Sequence, residues 1–293
     1  MPTLPSGAPG PAVPESRHDE PAPGGEQPTP TGSAQVRTVA ESFGADADRY
    51  DRTRPPYPEA LVAALIEASP GPDVLDVGCG TGIAARQFRA AGCRVHGVEP
   101  DARMAGRARR SDLPVDVARF EDWDPDGRTF DAVVAGTAWH WIDPVAGARH
   151  AAHVLRPGGL LAPFWHAFQL PAPLAEAVAA LCERLLPEAP FDTRAALTKP
   201  AAEASRAHLD RAADGIRNAG GFDEPQRLAF TWEMSCTKTA WLDQMPTLGL
   251  FTRLPPHLMA EARTEATTAL DPLPDPFPIP YTTTALTTHR TAA

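Results

Sequence analysis

Residues 74–82 read VLDVGCGTG. The run Asp73-Val74-Leu75-Asp76-Val77 has the composition of a short, largely buried strand, and Ile83 to Ala91 continues as a helix closed by Gly92. Between them Gly78, Gly80 and Gly82 fall at alternate positions. Glycine there lets the chain turn tightly and lets a ligand approach the backbone with no Cβ in the way. In an open α/β sheet the ligand crevice lies beyond the carboxyl ends of the strands, which is where this loop falls.

The same alternation extends in both directions. Upstream, Pro58 opens a helix whose Leu61, Val62, Leu65 and Ile66 share one face, and Pro70-Gly71 ends it. Downstream, strands expected at 94–98, 115–118, 130–135 and 160–164 alternate with helices at 101–110 and about 144–154, the last stopped by Pro157-Gly158-Gly159. Strands separated by such helices predict βαβ units and a parallel sheet covered on both faces. Beyond 165 the pattern gives a helix at about 173–186, a strand at 228–235, helices at 239–245 and 257–270, and a last strand at 280–288. The intervening DPLPDPFPIP (271–280) carries proline at every other position and suits an extended connector.

The residues around the glycine loop narrow the ligand. A dinucleotide fingerprint spaces its glycines G-x-G-x-x-G, whereas the third position here is Ile83 and the third glycine comes one residue early. A triphosphate-cradling loop requires Lys and Ser/Thr where this chain has Ile83 and Ala84. Asp76 precedes the loop, where its charge favours a cationic group over a pyrophosphate. Glu99, 23 residues further on at the end of the second strand, is placed to accept from both hydroxyls of a ribose. The sum is a ribose-bearing, phosphate-free ligand that carries positive charge.

VLDVGCGTG, VHGVEPDARM (95–104), FDAVVAGTAWHWID (130–143) and VLRPGGLL (154–161) resemble successive motifs of the class I S-adenosylmethionine-dependent methyltransferases. The resemblance runs in order and with normal spacing over residues 38–165 and is closest to the small-molecule type. It implies a Rossmann-like fold with a mostly parallel seven-stranded sheet, helices on both faces and a helical lid. It also implies S-adenosylmethionine as cofactor and in-line methyl transfer to a small organic acceptor at O, N or C. Gly78, Gly80 and Gly82 would line the methionine end with Cys79 as a small filler, Asp76 would help hold the cofactor through the loop, and Glu99 would bind the ribose. ARFEDWD (118–124) would pass the adenine with Phe120 or Glu121 nearest the base, although the family's common Gly-Asp-Ala version of that stretch is absent. Pro100, Met104 and Gly136 complete the expected cofactor-side set. Upstream, SFGADADRYDRTRPPYP (42–58) resembles the family's amino-terminal cap, from which Tyr50 and Arg54 either reach the cofactor or serve as a packing residue and a solvated charge.

Methyl transfer from a sulfonium can be accelerated largely by alignment and desolvation, and a protonated acceptor also wants a base. His140, between Trp139 and Trp141 after the fourth strand, is the first candidate, as a base or as pocket lining; His166, after the fifth, is the second. No His, Cys or carboxylate pair has convincing ligand spacing, so no metal is expected. An NAD(P)-dependent oxidoreductase and a non-catalytic S-adenosylmethionine-binding relative are the competing readings.

Composition bounds the partners. Of 293 residues, 27 are basic and 37 acidic, a formal charge of -10, which opposes a polyanionic partner such as nucleic acid. Four scattered cysteines are no disulfide framework, and no run of 18 apolar residues offers a membrane span, so a cytoplasmic monomer or homodimer is expected. Nine of the 34 prolines fall within residues 1–30, which hold little to bury. The expected organisation is a disordered Pro/Gly-rich leader (1–36), a cap (37–60), a cofactor-binding half (61–165) and an acceptor-side half with lid helices and two antiparallel strands (166–293).

Overall fold

A computed structural model describes residues 42–185 and 193–291; the expected leader and the first residues of the expected cap lie outside the described residues. Seven strands form one sheet: β1 Asp73–Val77, β2 Arg94–Val98, β3 Val115–Asp116, β4 Phe130–Gly136, β5 Leu155–Phe168, β6 Gln226–Cys236 and β7 Phe277–His289. Their order is β3-β2-β1-β4-β5-β7-β6. The first five are mutually parallel, and β7 runs antiparallel to both β5 and β6. The expected α/β architecture is therefore observed, with the chain reversing direction outward from β1 so that the crevice opens above the glycine loop.

Each sheet face has its own apolar core, as the two-residue side-chain period of a strand requires. On one face Leu75, Val77, Val133 and Leu161 pack against helices Pro144–Val154 and Arg206–Ala219. On the other, Val74, Ala132, Val134 and Leu160 pack against helices Glu59–Ala68, Ile83–Ala90 and Ala102–Arg109. A third core, with Leu174, Val178, Trp241, Phe251 and Phe277 fully buried, joins helices Ala172–Leu185, Lys238–Gln244 and Pro256–Leu270 to the ends of β6 and β7. This is the lid. Helix Arg206–Ala219, in the half expected to carry the lid helices, instead belongs to a sheet face: a Cβ on Gly215 would lie 2.4 Å from Pro144, so two helices meet there at backbone distance.

Three strands, β3, β5 and β7, depart from the expected boundaries for a physical reason, whereas β4 and β6 are longer than expected by one and three residues. β3 has only two residues, because Val115 and Asp116 alone pair with Gly97 and Val98. The Pro157-Gly158-Gly159 stop lies inside β5: pairing jumps from Phe130↔Leu155 to Ala132↔Leu160, so the segment bulges and the strand resumes. Pro278 and Pro280 lie in β7, not in a connector before it. They sit opposite Ser235 and Glu233 of β6, while β5 pairs with β7 only from Phe168↔Tyr281 onward. Their missing N–H groups face the side where β5 has ended, so the ladder loses no bond. Among the described residues no helix is long and apolar enough to cross a membrane.

Candidate cofactor and acceptor site

The loop after β1 turns through three left-handed glycines, with φ of +63° at Gly78, +57° at Gly80 and +86° at Gly82. A Cβ at Gly78 would also stand 2.5 Å from that of Ala138. The amides of Gly78 and Cys79 donate to the Val98 carbonyl, and Gly82 donates to the Cys79 carbonyl before helix Ile83–Ala90 begins. Glu99 pins the loop from β2: one carboxylate oxygen accepts from Gly80 N at 2.8 Å and the other from Asp101 N at 2.9 Å. Glu99 is 8% exposed, and burial pushes its carboxyl up to about 7. Asp76, 1% exposed at the end of β1, is likewise pushed up to about 7 by burial, with a smaller push from Glu99. Its Oδ2 is buried without a hydrogen-bond partner among the described residues, as is Thr81 Oγ1 in the loop.

These residues open onto a cavity. Tyr50, Arg54, Asp76, Gly78, Cys79 and Gly80 line it from the cap and the loop. Gly136 and His166 line it from β4 and β5. The remaining expected residues do not line it. Gly82 caps the following helix, and Glu99 stands behind the loop; Pro100 is exposed, and Met104 touches Gly80 from below at 3.5 Å from the place of a Cβ. Phe120 is buried among Trp123, Trp139 and His150, and Glu121 accepts from Asp143 N at 3.2 Å. Cys79 Sγ fills the space that a Cβ on Gly97 would take, at 2.7 Å, which suits a filler rather than a nucleophile.

Several lining residues were not singled out from sequence. Tyr57, within the cap stretch, stacks on His166 with ring centroids 4.1 Å apart and lies 3.1 Å from Thr137 Oγ1 through its hydroxyl. Gly136 makes room for it, since a Cβ there would sit 2.7 Å from the Tyr57 hydroxyl. Gln244 and Tyr281 come from the lid and β7. The spacing of RTRPPYP could have flagged Tyr57; nothing local marks Gln244 or Tyr281, which arrive through long-range pairing.

The two histidines sit in different surroundings. His140 is outside the cavity wall, beneath helix Arg206–Ala219, with its ring 4.7 Å from that of His208. Its Nδ1 accepts from the Trp165 indole at 3.1 Å, and burial pushes its pKa down to about 3. The lone pair a base would use is thus engaged. His166 lies in the wall, its Nδ1 2.8 Å from Thr283 Oγ1. Trp232 Nε1 donates to that same oxygen at 2.9 Å, and Thr283 is fully buried. With one proton and two lone pairs, the Thr283 hydroxyl accepts from the indole and serves Nδ1 in either tautomer, as donor to a bare nitrogen or as acceptor from an Nδ1–H. Burial pushes this ring down to about 3 as well, and its Nε2 is buried without a hydrogen-bond partner among the described residues.

The cap helix Ala47–Thr53 closes the cavity and is tied on both flanks. Asp51, with a side chain 8% exposed, pairs with Arg86 at 2.8 Å and Arg107 at 2.5 Å, from the helices either side of β2. On the other flank Arg49 and Arg52 pair with Asp243 of lid helix Lys238–Gln244, at 3.2 and 3.0 Å. Arg54 donates to the Thr247 carbonyl and lies 4.9 Å over the Tyr50 ring.

Comparison with known proteins agrees with this geometry. A methyltransferase-domain family model matches residues 50–163. A malonyl-[acyl-carrier protein] O-methyltransferase of Enterobacter lignolyticus is 32% identical over 189 residues, which cover 62% of this chain and 69% of that one. The chain belongs to the class I S-adenosylmethionine-dependent methyltransferases. An uncharacterized methyltransferase of Mycobacterium tuberculosis is 37% identical over 133 residues, 44% of this chain and 54% of its own, so the chain spans about half the length of that relative. A solved chain of Anaeromyxobacter dehalogenans, provisionally named a type II methyltransferase, shares the fold with a TM-score of 0.56 at 23% identity, over 81% of this chain and 97% of that one. No comparison supports the oxidoreductase reading.

The family's cofactor, S-adenosylmethionine, fits the residues present. Its ammonium and sulfonium are cations, and the cavity wall offers a buried carboxylate with one oxygen unpartnered, Asp76 Oδ2, beside the unpartnered Thr81 hydroxyl. Because Asp51 is nearly buried between two guanidiniums, Asp51→Ala takes the ion pair from Arg86, leaves Arg107 with the exposed Asp48 alone, and loosens the cap over the cavity. An affinity loss of about tenfold is expected by titration calorimetry, since breaking such a pair costs on the order of 1–3 kcal/mol.

Proposed function

We propose that this methyltransferase moves the methyl group of S-adenosylmethionine to a small organic acceptor. The buried, unpartnered Asp76 oxygen in a cavity closed by cap and lid carries the reading: a cationic ligand that fits a cramped site satisfies it. S-adenosylmethionine supplies an electrophilic methyl and a sulfur that leaves with the bonding electron pair. Asp76 balances the positive charge next to the glycine loop, and Glu99 holds the loop and meets the ribose. Tyr50 and Arg54 cover the methionine end. Cys79 and Met104 pack beneath the loop, while Pro100, Phe120 and Glu121 border the adenine side.

The acceptor side is the aromatic wall of Tyr57, Phe168 and Tyr281 with His166 set into it. An imidazole that burial holds neutral takes no proton near neutral pH, so His166 is a positioning residue here and not the base. His140, whose acceptor nitrogen is held by Trp165, supports the wall from behind. Catalysis then rests on alignment and exclusion of water. The relative from Enterobacter lignolyticus is named as an O-methyltransferase of a malonyl thioester, which makes carboxylic acids the first acceptors to try.

Titration with S-adenosylmethionine, its demethylated product and NAD, followed by a label-transfer screen over small carboxylates, phenols and amines, tests the proposal. Binding of the first two with transfer to an acceptor is the expected result. Binding of NAD alone overturns it, and tight cofactor binding with no transfer to any class favours a non-catalytic relative.

A further inference from the structure

β6 ends the sheet, and its outer edge carries no backbone hydrogen bond among the described residues. At eleven residues it is a long unpaired edge, the kind that recruits another strand unless something blocks it. The phase of that edge is fixed by β7. Pro280 and Pro278 have no N–H, so Glu233 and Ser235, which lie opposite them, occupy non-hydrogen-bonded positions of the β6–β7 ladder. By alternation Arg227, Ala229, Thr231, Glu233 and Ser235 turn their N–H and C=O groups outward. The same residues expose their side chains, while Leu228, Phe230, Trp232 and Met234 are half-buried on the other sheet face.

From this edge we propose that two copies of the chain pair antiparallel through β6, about a two-fold axis at Phe230, into one continuous sheet. With Phe230 facing its own copy, Arg227 of each chain falls opposite Glu233 of the other, and Ala229 opposite Thr231. All four are outward-facing residues, as hydrogen-bonded pairs in an antiparallel ladder must be. Leu228 meets Trp232 on the apolar face, in the closer non-hydrogen-bonded spacing where side chains touch best.

The charges select this register. Sliding by two residues in one direction sets Glu233 against Ala229 and Arg227 against Ser235. Sliding the other way sets Arg227 against Thr231 and Glu233 against Pro225, which has no N–H to give. A one-residue slip pairs outward groups with inward ones. Glu233 has no ion-pair partner among the described residues, and Arg227 reaches Asp210 at 2.6 Å on its own chain, so a second carboxylate completes a bridge rather than displacing one. A single charge of each sign, symmetrically placed about Phe230, would not repel a second copy as two like charges would.

Sedimentation velocity on the full chain tests the pairing. The wild type should sediment as a concentration-dependent dimer. Thr231→Pro should be a folded monomer, because the amide it removes faces outward and the ladder to β7 keeps every bond; far-ultraviolet circular dichroism and thermal unfolding check the fold. Arg227→Glu and Glu233→Arg should each weaken dimerisation about thirtyfold, as two attractive pairs become repulsive. The two single variants mixed, or the double variant R227E/E233R, should recover it. A monomeric wild type, a dimeric T231P, or a double variant that stays as weak as the singles overturns the proposal.

Discussion

Glu99→Ala should lower affinity for S-adenosylmethionine, or for its demethylated product, about a hundredfold or more. Two effects add. In the proposed role the ribose loses its acceptor, and the amides of Gly80 and Asp101 lose the carboxylate that holds the loop to β2. Charge-assisted bonds are worth about 1.5–3 kcal/mol each, and about 2.7 kcal/mol is a factor of a hundred. Glu99→Gln separates the effects: its carbonyl oxygen keeps one amide, while its NH2 group confronts the other, so roughly a tenfold loss is expected from one mismatched bond. Unchanged affinity in the alanine variant, read by calorimetry, would remove Glu99 from the ribose.

The second large effect concerns pH. With the carboxyls of Asp76 and Glu99 both raised to about 7 by burial, the empty protein holds part of its loop carboxylate protonated at neutral pH. A cationic ligand prefers the ionised form, so binding expels a proton below about pH 7 and affinity rises with pH until the group is ionised anyway. From pH 6 to pH 8 the gain for one such site is about tenfold. Stability of the unliganded chain moves the other way. A carboxyl with a raised folded-state pKa costs stability as pH climbs from its unfolded value through the folded one, so thermal stability should fall between about pH 4.5 and 7. Cofactor-induced stabilisation should therefore grow with pH. Calorimetry in two buffers of different ionisation enthalpy reads the released proton directly. Asp76→Asn should flatten most of the profile and leave only the share of Glu99; a profile in the variant as steep as in the wild type would assign the titration elsewhere.

Much of the cofactor side was legible because its determinants are local. Three glycines between a strand and a helix fix a loop conformation, and Asp76 and Glu99 sit at the ends of adjacent strands, so their positions follow from the βαβ path. The opposite wall of the cavity was not, because it is assembled from Tyr57 in the cap, His166 on β5, Gln244 in the lid and Tyr281 on β7. His140 shows the limit most clearly. Its place after β4 suggested the crevice edge, but only the structure reveals that helix Arg206–Ala219 lies over it and that Trp165 takes its acceptor nitrogen. The prolines of β7 misled for a related reason: they forbid a ladder bond only if a strand lies on that side, and sequence does not say where β5 ends.

The cap helix has a consequence for timing. It is fastened at one flank to the helices that border the glycine loop and at the other to the lid over the acceptor wall. The same short helix therefore links the two flanks, so that loosening one is expected to unsettle the other. A burst of product in the first turnover is the expected sign that a shared opening event, and not bond-making, limits each cycle.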